Sequence, residues 1–358
     1  MLKYRDHLKH LSNVSYSHQQ ADPNTLDCSL GTNPYGFPKG VFSVAQKINY
    51  NLINNYPDVD RKLKNLIIEY WKKTLLLNKV QIELACGSID CITKINKLFI
   101  NIGTPVLGYV PQFPDYKADV ESMGGIYEAV EMHEYNGRFN ISFLVDHLEK
   151  KYALIYIDNP NNPTGQVIPI EDIKTITQKS AYLGICLVVD EAYGDFMDMK
   201  NSAVSLLNRF DNLIVIRSFS KGFGLAGLRV GYTVSSPDIM SYYRKVNVPF
   251  SVNALGGCLV EEALKDDDFI QTSRKKIEVA KNLLIRNMRT LGYLETNSQT
   301  PIITLVHPDK NVNLHLDLLK QQVLSVSGSS FPGLGNHCVR VRIPSEVNLL
   351  IERINKLT

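Results

Sequence analysis

The chain has 358 residues, 44% hydrophobic and 21% charged, which suits a globular protein with a sizeable core and excludes global disorder. Its net charge of +3 gives no support for nucleic-acid binding, which calls for clustered basic residues. The N-terminal segment has no apolar signal core and no apolar run is long enough to span a bilayer, so a cytoplasmic protein without a membrane partner is expected. The six cysteines are scattered without a CxxC pair and the eight histidines are dispersed, so no metal site is expected.

Short apolar runs alternate with longer amphipathic stretches. Strands are expected at Gln81–Ala85, Val106–Tyr109, Ala153–Ile157, Ile185–Val189, Leu213–Ile216 and Arg229–Val234. Amphipathic stretches lie between them, as at Ile170–Leu183 and Ser202–Phe210. Strands separated by helices predict an α/β fold: a mostly parallel sheet with helices on both faces, whose ligands bind beyond the carboxyl ends of the strands. After Val248 come a long helical segment to Leu291, short strands at Ile302–Val306 and Val339–Ile343, and a helix near Glu346–Leu357. These predict a smaller α+β domain. The expected organisation is an N-terminal arm (1–40), a large domain (41–247) and a small C-terminal domain (248–358).

Three strand ends carry polar clusters. ALIYI is followed by Asp158-Asn159-Pro160-Asn161-Asn162-Pro163-Thr164-Gly165, ICLVV by Asp190-Glu191-Ala192-Tyr193, and LIVI by Arg217-Ser218-Phe219-Ser220-Lys221-Gly222. Each has a plain explanation by itself: a tight turn, a helix cap, a solvated lysine.

Together, and in this order, they resemble the fold-type I pyridoxal-phosphate enzymes, specifically the class I/II aminotransferases. SFSKGFGLAGLRVGY is the most specific stretch. The resemblance runs from about Asp27 to the C-terminus and is strongest to the branch of histidinol-phosphate aminotransferase and threonine-phosphate decarboxylase. LGTNPYGFP, NNYPD, PQFPDY, VPFSVNAL, FPGLG and RVRI carry it further.

The resemblance implies a pyridoxal 5'-phosphate cofactor held as a Schiff base on Lys221, whose amine also shuttles the α-proton. It implies Asp190 at the pyridine nitrogen, Tyr193 and Asn162 at the ring's phenolic oxygen, and Phe113 stacked on the ring. Ser218, Ser220, Arg229 and the helix start at Gly87, Ser88 and Ile89 would receive the cofactor phosphate. Tyr56 would reach the phosphate of a neighbouring subunit, which implies a homodimer with shared sites. Arg340 would meet the substrate carboxylate, with Gly31 and Asn33 nearby, while Arg342 is expected in a salt bridge. The implied reaction moves an amino group between an amino acid, or an amino-alcohol phosphate, and a 2-oxo acid. A threonine-phosphate-decarboxylase-like lyase and another reaction on a non-phosphorylated amino acid are the alternatives.

The chain departs from that pattern at two places. Ile89 stands where related enzymes often carry an acid, which leaves backbone donation intact. Val326 stands where the branch has an arginine for the substrate phosphate. Either Lys39, Arg244 or another base replaces that arginine, or the substrate lacks the phosphate, since an unpaired dianion in a partly closed site is costly.

Overall fold

A computed structural model describes residues 2–11, 22, 24–131, 137–266 and 268–357. Its strands in chain order are β1 Leu26–Asp27, β2 Ile82–Ala85, β3 Pro105–Val110, β4 Ile126–Glu131, β5 Leu154–Asp158, β6 Cys186–Asp190, β7 Leu213–Ser218, β8 Gly231–Ser235, β9 Gly292–Tyr293, β10 Ile302–Val306, β11 Val323–Leu324, β12 Val326–Ser327 and β13 Cys338–Arg342. Seven form one sheet in the order β2-β8-β7-β6-β5-β3-β4. Only β8 runs against the others, so the carboxyl ends of β2, β3, β5, β6 and β7 lie along one edge.

The central strands are buried on both faces, as covered parallel sheets require. Ile155, Ile157, Leu187, Val189, Leu213 and Val215 enter one apolar core. Their alternates Leu154, Tyr156, Cys186, Val188, Ile214 and Ile216 enter the other. The two-residue period of a strand therefore explains why ALIYI, ICLVV and LIVI read as continuous apolar runs. Helix Ile170–Leu183 closes one crossover and ends at Gly184, whose φ of 75° suits a left-handed C-cap. The stretch Ser202–Phe210 departs from its amphipathic reading. Among these residues only a 3₁₀ turn forms, Ala203–Leu206, because the Glu191 carboxylate captures the Ser202 hydroxyl and the Ala203 N–H at its start.

A second, antiparallel sheet has the order β12-β13-β10-β9. Ile303, Leu305, Val339 and Val341 pack there against Ala280 and Leu284 of helix Phe269–Asn287 and Leu350 and Ile354 of helix Val347–Ile354. The N-terminal segment joins this half through β1, which pairs parallel with β11. Helix Ala254–Ala263, expected with the C-terminal half, instead buries Leu259, Val260 and Ala263 in the core of the large sheet. Among the described residues no helix is long and apolar enough to cross a membrane.

Candidate active site

Strands β5 and β6 end in register at Asp158 and Asp190. The buried Asp158 carboxylate organises the turn after it. It accepts from the Tyr109 hydroxyl at 2.6 Å, from the Asn162 N–H at 2.9 Å and from Asn161 Nδ2 at 3.2 Å. Asn161 Oδ1 in turn accepts from the Thr164 N–H and hydroxyl, and the turn closes at Gly165 with φ 78°. Asp158 and Asn161 supply the side-chain acceptors and Gly165 the left-handed residue, which is why this segment folds as a turn locally. The turn presents Asn162 to a cavity of about 430 Å³.

Asp190 faces the same cavity. Tyr116 donates its hydroxyl to Asp190 Oδ2 at 2.9 Å, and the Ala192 N–H donates to Oδ1 at 2.8 Å. Burial nevertheless pushes the carboxyl up to about 7, against those two donors and with help from the nearby Asp158 and Glu191. Such a group is matched to a cationic partner placed against it. Glu191, one residue on, points the other way, to Ser202, Ala203 and Arg217.

Tyr193 is buried, and its hydroxyl has no hydrogen-bond partner among the described residues. The Lys221 ammonium stands 5.5 Å from its ring centroid. The Gly31 backbone lies so close that a Cβ there would fall 1.7 Å from Tyr193 Oη. An orphaned phenol, an amine and a carboxylate thus converge on one cavity, with Phe113 on its wall.

The far end of the cavity suits an anion. Helix Gly87–Phe99 starts there, and its first-turn N–H groups lack intrahelical acceptors. Ser88, Ile89, Ser220 and Arg229 line this end. Arg229 donates to the Ala226 carbonyl at 3.1 Å and to the Cys86 carbonyl at 3.4 Å, which holds its guanidinium over Gly87. Strand register brings these pieces together: Ala85, Gly231 and Ser218 are neighbours across β2, β8 and β7.

Arg340 lines the opposite end. It donates to Asn162 Oδ1 at 3.0 Å and to the Ser29 carbonyl, with its guanidinium 5.8 Å from the Phe331 ring. Arg342 lies one pleat along and donates to the Asp27 carbonyl at 2.8 Å, so the salt bridge expected for it is instead a bond to a backbone oxygen. Val326 stands opposite Arg340 in the β12–β13 ladder. Neither of the basic residues offered in place of an arginine there lines the cavity. Arg244 is held by Glu83 and the Val80 carbonyl, and Lys39 is exposed at the start of its helix.

Four of the sequence candidates, Gly87, Ser218, Asn33 and Tyr56, are not on the cavity wall, and Gly87 lies behind the Arg229 guanidinium. The Ser218 hydroxyl accepts from the Ser220 N–H and shapes the Lys221 loop. Asn33 donates to the Gly222 carbonyl at 2.8 Å, and its N–H to the Lys221 carbonyl at 3.0 Å, bracing the same loop. Tyr56 is 82% exposed and stacks on Phe250 at 4.8 Å between centroids. Sequence reasoning assigned no role to Tyr116 or Asp158 at the site. The one signal for Tyr116 was its position in PQFPDY, three residues after Phe113, whose ring it meets edge-on at 5.5 Å.

These residues fit a phosphorylated pyridine aldehyde. Lys221 has the amine for the aldehyde, Asp190 a carboxyl that gains from a ring cation, Tyr193 a phenol in need of a partner, and the helix start with Arg229 an anion cradle. With the doubly wound sheet behind them, they define a fold-type I pyridoxal-phosphate enzyme.

Comparison with known proteins narrows the class. The family model for aminotransferases of class I and II matches residues 27–354. The chain is 34% identical over 316 residues to a histidinol-phosphate aminotransferase of Thermoanaerobacter sp. (strain X514), covering 87% of each chain. Among solved structures, histidinol-phosphate aminotransferase from Sinorhizobium meliloti in complex with pyridoxal-5'-phosphate matches with a TM-score of 0.86 at 20% identity, over 99% of this chain and 97% of that one. L-threonine-O-3-phosphate decarboxylase from Porphyromonas gingivalis matches with a TM-score of 0.77 at 20% identity, over 92% and 98%. At such identities the two structures speak for the fold alone. The chain belongs to the aminotransferase class I and II family and is a pyridoxal-phosphate-dependent aminotransferase.

Proposed function

We propose that the chain moves an amino group between an amino acid, or an amino-alcohol phosphate, and a 2-oxo acid, with Lys221 as the covalent anchor of the cofactor. The observation that carries this reading is the convergence of Lys221, Asp190, Tyr193 and Arg340 on one cavity whose far end is a helix start. When bound, pyridoxal phosphate supplies an electron sink for the bond broken at the α-carbon.

The chain's own residues do the rest. Arg340, carried on β13 and held by Asn162, receives the substrate carboxylate and so orients the α-carbon towards Lys221. With its amine free, Lys221 would serve as the base that takes the α-proton and as the acid that returns it. Asp190 would hold the protonated ring nitrogen, and Tyr193 and Asn162 would donate to the ring oxygen. Phe113 covers the ring face. Ser220, Arg229 and the N–H groups at Gly87, Ser88 and Ile89 hold the cofactor phosphate, with Ser218 shaping the loop. Gly31 and Asn33 bring the N-terminal segment against the site. Exposed on this chain, Tyr56 is available to a second copy, which supports a homodimer with shared sites. A cytoplasmic enzyme fits the same reading.

The donor is the finer question. Val326 beside Arg340, with Arg244 and Lys39 placed elsewhere, favours a donor without a phosphate over the one named for the Thermoanaerobacter relative. The test is a panel of amino acids, with and without side-chain phosphate, offered to the holoenzyme without an oxo acid. Release of one 2-oxo acid per site supports transamination. Continuous carbon dioxide release with no acceptor would replace it with the lyase reading. The purified protein is expected to be yellow, and the colour to be lost in Lys221→Ala. A wild type that stays colourless with added pyridoxal phosphate removes the role of Lys221.

A further inference from the structure

Lys281 is fully buried on helix Phe269–Asn287 and faces neutral oxygens. Its ammonium donates to Thr296 Oγ1 at 2.6 Å, to the carbonyls of Asn297, Ile302 and Thr300 at 2.7, 2.8 and 3.0 Å, and to Thr300 Oγ1 at 3.1 Å. A carbonyl can only accept, so three carbonyls around one nitrogen use all three N–H groups of an ammonium. A buried lysine is rare unless something requires it. None of these partners belongs to the cavity.

The segment so gathered, residues 296–302, lies directly against the turn that carries Asn162. The Thr300 hydroxyl reaches the Gly165 carbonyl at 2.9 Å, and the Asn297 N–H meets the Gly165 carbonyl at 3.0 Å. Thr300 Oγ1 has a single proton and two acceptors within reach, the carbonyls of Gly165 and Asn297. Because Lys281 donates to the Asn297 carbonyl, the Thr300 hydroxyl proton is left for Gly165. The approach is tight: a Cβ on Gly165 would come within 2.5 Å of the Ile302 carbonyl and of Thr300 Oγ1. Thr304, paired with Arg340 across β10 and β13, donates to the Pro163 carbonyl at 3.0 Å in the same turn. The turn is thus fastened just after Asn162, at Pro163 to Thr304 of β10 and at Gly165 to Asn297 and Thr300, and Asn162 accepts from Arg340.

We propose that Lys281 is a positioning residue for amino-acid binding: it locks residues 296–302 in the shape that clamps the Asn159–Gly165 turn onto the small sheet and keeps Asn162 in register with Arg340. The ammonium touches neither substrate nor cofactor. It acts through Thr300 and Gly165 on the Asn162–Arg340 pair at the substrate end of the cavity.

This rests on Arg340 as the carboxylate partner, so Arg340→Lys is measured beside the latch variants. Each holoenzyme is assayed for the KM of its best amino donor, for kcat, for the visible absorbance of the bound cofactor and for its melting temperature. Lys281→Met is expected to raise KM by roughly tenfold, with kcat changed less than threefold and the absorbance band kept. Thr300→Val, which keeps the lysine and loses only the hydroxyl, is expected to raise KM by roughly threefold. A melting-temperature loss with KM unchanged in both variants overturns the proposal and leaves Lys281 a structural residue. If Lys281→Met does not fold, Thr300→Val decides by the same criterion. If Arg340→Lys leaves KM unchanged, the carboxylate reading fails and the latch fails with it. If Arg340→Lys raises KM and the latch variants do not, the latch alone fails.

Discussion

The Tyr116 hydroxyl donates to Asp190 Oδ2 at 2.9 Å, a bond between two buried groups 74 positions apart in sequence. It holds the acidic carboxylate against the cavity floor and offsets part of the cost of burying its charge. Tyr116 is itself fixed by stacking on Tyr156 at 4.7 Å. Removing the hydroxyl in Tyr116→Phe therefore leaves Asp190 less able to stay ionised opposite a ring cation. A hydrogen bond to a charged group contributes about 1.5–3 kcal/mol, so cofactor affinity is expected to fall by roughly tenfold or more. Titration of the apoprotein with pyridoxal phosphate, followed by absorbance, measures this. Equal affinities in the two proteins would remove Tyr116 from the account of Asp190.

The raised pKa of Asp190 has a pH signature in the apoprotein. Burial moves the carboxyl from its ordinary 3.8 to about 7, so between those values the native state binds a proton that the unfolded chain has lost. Stability from this group is present below about pH 4, declines as pH rises and is lost above 7. The loss is on the order of a few kcal/mol. Asp190→Asn does not titrate. The apo variant should gain on apo wild type in melting temperature from pH 4 to 7 and hold that gain above it. A constant difference across the range contradicts the assigned shift. Cofactor binding should weaken in the same variant, because the ring cation loses its anion.

Gly87 has φ 81°, and a Cβ there would lie 2.4 Å from Arg229 Nη2. Gly87→Ala thus meets two obstacles: a left-handed backbone costing about 1–2 kcal/mol for an L-residue, and a guanidinium that must swing aside. The swing moves the main cation of the anion cradle. The variant is expected to lose modest thermal stability as the apoprotein and, separately, to bind pyridoxal phosphate more weakly. If affinity for the cofactor is unchanged, the guanidinium is not where the phosphate goes.

Arg217 is buried between Glu191 and Asp195 and lies 5.1 Å from the Trp71 ring. Burial raises both carboxyls, and the guanidinium opposes that rise in each. Arg217→Met would leave two buried acids without their cation, and the expected loss is about 3–5 kcal/mol of stability. Adding Glu191→Gln and Asp195→Asn to that variant should restore most of it, because the uncompensated charges are then gone. Chemical denaturation of the three proteins checks this, and a triple variant no more stable than Arg217→Met refutes it.

Much of the site was legible before any contact was seen, because its residues sit at the ends of strands. An apolar run of strand length followed by Asp-Glu-Ala-Tyr or Ser-Phe-Ser-Lys dictates its own local structure, and the parallel sheet brings such ends to one edge. Asp190, Lys221 and Asn162 lie in the polar clusters that reading along the chain singles out, and their roles are what the resemblance carried by those clusters implies. Ser202–Phe210 was misread because the Glu191 carboxylate, not local periodicity, decides how that stretch starts. The helix Ala254–Ala263 was assigned to the wrong half because its apolar face carries no mark of which core will receive it.

The sequence by itself determined the chemistry on offer: an amine, a carboxylate, a phenol and an anion-binding helix start, each on a segment whose conformation is set by its neighbours in the chain. Only the tertiary structure decided who stands beside whom. Tyr116 meets Asp190, Val326 meets Arg340, and Lys281 meets the segment that holds Gly165, across gaps that no local rule spans. These pairings arise when separate sheets and helices pack to fill one core, and a buried polar group then takes the partner that packing leaves within reach.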